Sequence, residues 1–254
     1  MALHFNSSPI VLDEDQVLDY LQYLKTQSKT PSSSYFKHTV YGLCFAYRVS
    51  KVPQKNIFLP KMKFPKKLPV VLNKEEVRLL LKAPKLLRHR VLLALLYGCG
   101  LRRFELLNIK LPDIDFGRNM LHIREGKGRK DRYVPLGKHL IRGLKTYIDA
   151  ERPYIWLFNG KNKEGDYLQQ FSETGVQWVI KESAKRADIS KHVTSHVLRH
   201  TYATHLLEMG LDIMSLKEAL GHSDTRTTLI YLHIAQLGCQ KIFSPLDKLY
   251  EPNS

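Results

Sequence analysis

The chain has 254 residues, 43% of them hydrophobic, enough for a buried core and for two domains. Lys and Arg outnumber Asp and Glu by 40 to 24, giving a formal net charge of +16 and a pI near 9.7. This composition excludes a disordered tail and favours a polyanionic partner, nucleic acid first and an anionic membrane surface second. No apolar run approaches the ~20 residues of a membrane span. The N-terminal MALHFNSSPIVLDEDQ lacks the basic start and long apolar stretch of a signal peptide. Three cysteines, Cys44, Cys99 and Cys239, cannot all pair, so a reducing cytoplasm is the simplest setting.

Residues 13–25 space Val17, Leu18, Leu21 and Leu24 as one helical face, behind an acidic start that suits a helix N-terminus. Residues 32–50 predict a second helix with Tyr35, Val40, Leu43 and Tyr47 turned inward. From Tyr20 through Lys74 there are eleven Lys or Arg and no Asp or Glu. A basic run of this kind can be a solvated linker, but here it spans a helix, which favours a surface that follows a phosphate backbone. Lys37, Arg48, Lys61, Lys63, Lys66 and Lys67 are its candidate DNA contacts. The Pro- and Lys-rich segment around 61–72 reads as a linker, which places a short helical domain at 1–60, a second domain at 73–235 and a tail at 236–254. Asn73-Lys-Glu-Glu76 reads as a capping box opening the second domain.

In that domain, residues 74–83 and 88–98 predict helices, the second apolar enough to be buried, with Cys99 packed as a small hydrophobe. A Gly98-Cys-Gly100 turn leads to a helix beginning near Arg102. Residues 119–124 and 130–135 read as a hairpin about Gly126-Lys-Gly128. Helices follow at 138–150, 171–187, 196–209, 212–220 and 225–233, with Gly221 as a C-cap. The class is therefore mostly α with a small antiparallel sheet (α+β).

Chemistry concentrates in His196-Val-Leu-Arg199, Leu220-Gly221-His222 and Tyr231. Arginines hold a phosphodiester through forked, charge-assisted bonds, histidines move protons near neutral pH, and a tyrosine can attack and stay attached. Each residue has a plainer reading, as a salt-bridging arginine, a packed histidine or a core tyrosine; it is their joint spacing that argues for a site. His196 and His200 have the i, i+4 spacing of a zinc helix, but Val197 stands where the HExxH glutamate belongs, so no metal is expected. His200 and His205 read as packed or hydrogen-bonded histidines. Arg102 opens a helix, where free N–H groups also attract an anion. Glu105 reads as its structural partner, and Arg103 faces solvent or DNA.

These motifs, with Gly100-Leu-Arg-Arg-Phe-Glu-Leu106 and Gly126-Lys-Gly-Arg-Lys-Asp-Arg-Tyr-Val-Pro-Leu136, resemble the tyrosine recombinase, or phage integrase, family over roughly residues 70–235. The nine residues from His222 to Tyr231 match the family's spacing, and Cys99 replaces a family threonine. The resemblance implies a catalytic domain preceded by an abbreviated helical DNA-binding domain. It assigns Arg102, Lys127, His196, Arg199, His222 and the nucleophile Tyr231 as catalytic residues, with Lys127 protonating the leaving 5′ oxygen. Lys130 and Arg132 become further phosphate contacts. It implies double-stranded DNA as partner, a homotetramer on two sites, no metal and no ATP, and work at the nucleoid. The terminal SPLDKL resembles integron-type integrases, yet the spacing from Lys127 to His196 favours an Xer-like or transposon-associated type. Two alternatives share the DNA-binding expectation: a type IB topoisomerase, and a truncated relic that binds without cutting.

Overall fold

The structure, a computed structural model, describes residues 1–26, 33–52, 69–124, 131–161, 165–167, 169–222, 224–232 and 234–235. The chain divides into two compact units, Met1–Lys67 and Leu68–Ser254. The division falls within the 61–72 segment, whose first eight residues lie outside the described set.

The first unit holds α1 (Ala2–Phe5), α2 (Glu14–Thr26) and α3 (Ser33–Val49). Val17 and Leu21 of α2 pack with Phe36, Val40, Leu43 and Tyr47 of α3. Two inward assignments fail. Leu18 and Tyr35 are 38% and 46% exposed, and Tyr20 and Phe36 are buried instead. A half-turn error in phase is enough for this, because each apolar residue has an apolar neighbour in sequence. Lys37 and Arg48 are exposed on α3.

The second unit opens at α4 (Lys74–Lys82), and its capping box forms in full. The Asn73 side chain accepts from Glu76 N, and the Glu76 carboxylate accepts from Asn73 N, both at 2.7 Å. Lys191 donates to Glu76 at 2.7 Å and to Val71 O at 3.0 Å, tying this entrance to a distant loop. α5 (Leu87–Gly98) is apolar nearly all round, so it can only be a central helix. It packs against α7 (Lys138–Glu151) and α9 (Ser195–Glu208), with Leu92, Leu93, Leu95 and Leu96 fully buried. Each such leucine contributes roughly 1.5–3 kcal/mol relative to exposure. Cys99 is also fully buried, and burial pushes its thiol up to about 12, so it behaves as a hydrophobe.

Gly100, at φ +58°, turns the chain from α5 into α6 (Arg103–Leu107). A Cβ there would lie 2.3 Å from the Tyr202 ring, so only glycine fits. After a 3₁₀ turn at Leu111–Asp113 comes a small antiparallel sheet: β1 (Ile114–Asp115), β2 (Met120–Ile123) and β3 (Arg132–Pro135), in that order. Leu121 pairs with Val134 on the buried face. The β2–β3 tip, residues 125–130, lies outside the described residues, and with it Lys127 and Lys130. A two-stranded pair, β4 (Asn159–Gly160) and β5 (Gln169–Gln170), precedes α8 (Glu173–Arg186). Among the described residues, α9, α10 (Ile213–Leu220) and α11 (Arg226–Leu229) are the last helices of the unit. The last helix is shorter than its sequence suggests, and Tyr231 lies in the turns that follow it.

Candidate active site

The end of α10 organises the site. Gly221 caps it in the left-handed conformation, φ 61° and ψ 47°. The last carbonyls of a helix lack partners within it and carry the negative end of its dipole. Here three successive ones meet three arginines. Ala219 O accepts from Arg132 Nε at 3.1 Å, Leu220 O from Arg199 Nη2 at 2.5 Å, and Gly221 O from Arg102 Nη2 at 3.5 Å. Arg199 Nη1 also donates to Gly100 O at 2.5 Å, so the glycine turn before α6 holds the same guanidinium.

One carboxylate sits among these cations. Glu105, 4% exposed, accepts from Arg132 through both oxygens at 2.8 Å, and from Arg102 Nη1 at 2.7 Å and Arg102 N at 2.8 Å. Arg199 Nη1 is 4.0 Å away. Burial raises the Glu105 pKa, but hydrogen bonds and charge from Arg132 and Arg102 outweigh it and hold the carboxyl at about 2. Arg199 moves the other way. Burial, then the charge of Arg102, lower its guanidinium to about 10 against the pull of Glu105. Three guanidiniums thus share one carboxylate, and among the described residues no other carboxylate pairs with them.

His222 and Tyr231 complete it. His222 Nε2 lies 3.2 Å from Arg199 Nη2. A guanidinium only donates, so Nε2 accepts and the neutral ring carries its proton on Nδ1, which donates to Thr228 Oγ1 at 2.9 Å. The His222 and Tyr231 rings are near parallel, with centroids 6.4 Å apart. Tyr231, 2% exposed, has its hydroxyl 3.0 Å from His200 Nδ1. Burial raises the phenol pKa, and the charges of Arg199 and Arg102 partly offset this. Burial also lowers His200, reinforced by His196 and Arg199, so that ring is neutral at pH 7.

His196 is exposed, on the rim of an open groove of about 910 Å³ beside α8. Arg103, Lys181, Lys185 and Lys191 supply the groove's positive charge. Arg103 is half-used: its Nη2 pairs with Glu173 at 2.5 Å while the side chain stays 32% exposed.

The structure therefore brings Arg102, Arg199, His222 and Tyr231 together and puts His196 on the neighbouring groove. Lys127, Lys130, Lys61, Lys63, Lys66 and Lys67 lie outside the described residues. Arg132, expected to contact phosphate, has a side chain 9% exposed, with its fork on Glu105 and Ala219 O. Two residues with a part here carried little signal. His200 read as a packed or hydrogen-bonded histidine with no partner named, and Thr228 had no motif of its own. Among the described residues, no three His, Cys, Asp or Glu side chains are grouped to hold a metal ion.

Comparison with known proteins supports the same frame. The family model described as "Phage integrase family" matches residues 70–237. A tyrosine recombinase of Thermosipho africanus is 42% identical over 201 residues, covering 78% of this chain and 67% of that protein. Tyrosine recombinase XerA of Thermococcus onnurineus is 41% identical over 177 residues, covering 68% and 61% respectively. The chain thus spans about two thirds of the length of these relatives. The crystal structure of XerH site-specific recombinase bound to difH substrate, a pre-cleavage complex, superposes with a TM-score of 0.70 at 25% identity, over 89% of this chain and 68% of that one. With its matched region and its shared fold, this chain belongs to the phage integrase family, a family of tyrosine-type site-specific recombinases.

Proposed function

We propose that the chain is a site-specific DNA recombinase that breaks and rejoins DNA through a 3′-phosphotyrosine at Tyr231, using neither metal nor ATP. The observation that carries this is the charge imbalance beside the tyrosine. Arg102 and Arg199 keep their positive charge beside Tyr231, and Glu105 compensates it only in part. A phosphodiester brings one negative charge and its pentacoordinate transition state two. Preorganised donors of this kind stabilise the transition state more than the ground state.

In the reaction, Arg102 and Arg199 hold the nonbridging oxygens, and His222 becomes an added donor when Arg199 turns from its Nε2 to the phosphate and that nitrogen takes up a proton. The Tyr231 hydroxyl oxygen attacks phosphorus, and the bond to the 5′ oxygen breaks. An unperturbed phenol titrates near ~10, so the proton needs an acceptor at neutral pH. His196 is the acceptor expected from sequence, but the neutral His200 Nδ1 is already within 3.0 Å of the hydroxyl and is the better-supported one. Lys127 supplies the proton that the departing 5′ oxygen takes up. A second 5′-hydroxyl then attacks the phosphotyrosine in reverse, so no bond energy is lost. Exchange between two duplexes calls for a tetramer on two sites, and a DNA substrate places the work in the cytoplasm at the nucleoid. The exposed Lys37 and Arg48, the Lys/Pro-rich 61–72 segment and the groove beside His196 would follow the flanking backbone.

The test is an SDS-resistant protein–DNA adduct on nicked duplexes tiled from DNA flanking the gene. The wild type should form one and Tyr231→Phe should not, while both bind alike. A probe that is bound yet never captured by the wild type would refute cleavage and leave a binding protein. Relaxation of supercoiled plasmid without exchange would identify a topoisomerase instead.

A further inference from the structure

We infer that Arg132 is a positioning residue for this reaction, one that fixes Arg102 and Arg199 from behind and makes no contact with DNA. The inference rests on the cleavage reading above, but its first test does not depend on it.

Three connections lead outward from this side chain. Through Glu105 it reaches Arg102. Arg132 Nη1 and Nη2 grip the two carboxylate oxygens at 2.8 Å each, which sets the plane of the carboxylate. The same two oxygens then receive Arg102 Nη1 and Arg102 N. Through α10 it reaches Arg199. Arg132 Nε holds Ala219 O, and the next carbonyl along, Leu220 O, holds Arg199. Through its own strand it reaches β2, because Arg132 is the first residue of β3 and pairs with Ile123.

The fit around the stem supports the assignment. A Cβ on Gly221 would lie 3.1 Å from Arg132 Cδ, so the stem is packed against the helix end. The fork geometry matters as much as the charge. A guanidinium satisfies both carboxylate oxygens and a carbonyl at once, which an ammonium cannot do. There is also an electrostatic consequence. Arg132 occupies much of the negative charge of Glu105, so Arg102 and Arg199 meet the substrate without full neutralisation.

The experiment compares wild type with Arg132→Lys and Arg132→Gln. First, affinity for a bound duplex is measured against salt concentration. A positioning role predicts that Arg132→Gln keeps the wild-type salt slope and an affinity within about twofold. A phosphate contact predicts a slope smaller by about one and a uniform loss of affinity, which would overturn the inference. Second, single-turnover adduct formation is measured at saturating protein. Misplacing reacting groups predicts a loss on the order of 10²-fold for Arg132→Gln, with Arg132→Lys no better than partly restored. Third, the rate relative to wild type is followed from pH 7 to pH 5. It should fall further in Arg132→Gln, because Glu105 loses the partner that keeps it ionised. A loss explained by the unfolded fraction alone, flat across pH, would show a merely structural role and refute the inference. If the wild type binds but forms no adduct, the cleavage reading fails, and the salt slope by itself decides whether Arg132 touches DNA.

Discussion

Replacing Glu105 with Gln removes the one negative charge among three arginines while keeping the size of the side chain. The Glu105 side chain is 2% exposed, so solvent screening offers little relief. The magnitude follows from two routes. Holding the carboxyl at about 2 in place of the usual 4.5 corresponds to roughly 3 kcal/mol of favourable interaction. Breaking a buried ion pair by removing one partner costs about 3–5 kcal/mol, because the other charge is left uncompensated. Either figure is a large part of the ~5–15 kcal/mol that stabilises a domain. The pH dependence has a definite sign. A depressed carboxyl contributes its stability fully above 4.5 and loses it as pH falls toward 2. Urea unfolding followed by tryptophan fluorescence isolates the relevant unit, since both tryptophans, Trp156 and Trp178, lie in it. Glu105→Gln should be about 3 kcal/mol less stable than wild type at pH 7, with the gap closing below pH 4. A deficit under about 1 kcal/mol at pH 7, or one unchanged down to pH 2.5, would refute this account of the cluster.

Arg199→Lys keeps the charge but loses the fork that spans Gly100 O and Leu220 O; adduct formation should fall about 10²–10³-fold in a single-turnover assay, with gel-shift affinity changed only a few-fold. Gly100→Ala forces a Cβ to 2.3 Å from Tyr202 at φ +58°; left-handed backbone and overpacking together should cost about 2–5 kcal/mol, read as a depressed melting temperature or loss of soluble protein. Asn73→Ala removes the acceptor that caps α4 and should cost about 1 kcal/mol by denaturant titration, with adduct formation intact.

What could be read from sequence divides along the range of the interaction. The Asn73–Glu76 box, the buried α5 and the Gly221 cap depend on neighbours within a few residues, and each formed as its local pattern requires. The spacing of His222 and Tyr231 was equally legible. The pocket's inner structure was not. Arg132 sits in a basic hairpin, and such hairpins look like DNA contacts, but its partners Glu105 and Ala219 are 27 and 87 residues away. Glu105 read as a partner for an arginine, yet nothing in sequence shows that one carboxylate would serve three. His200 read as packed or hydrogen-bonded, but its partner could not be named, because its bond to Tyr231 depends on where the chain goes after α11. That helix ends at Leu229, before the nucleophile, which a helical pattern through 233 had hidden.

The most direct test of the central claim is to locate the DNA on the protein. Tryptic digestion of the purified adduct, after nuclease trimming, yields a peptide Thr227–Lys241 in which Tyr231 is the single tyrosine. The account predicts a nucleotide 3′-phosphate linked to that residue by mass spectrometry. A nucleotide on any other residue, or one linked to Tyr231 through its 5′-phosphate, would contradict it.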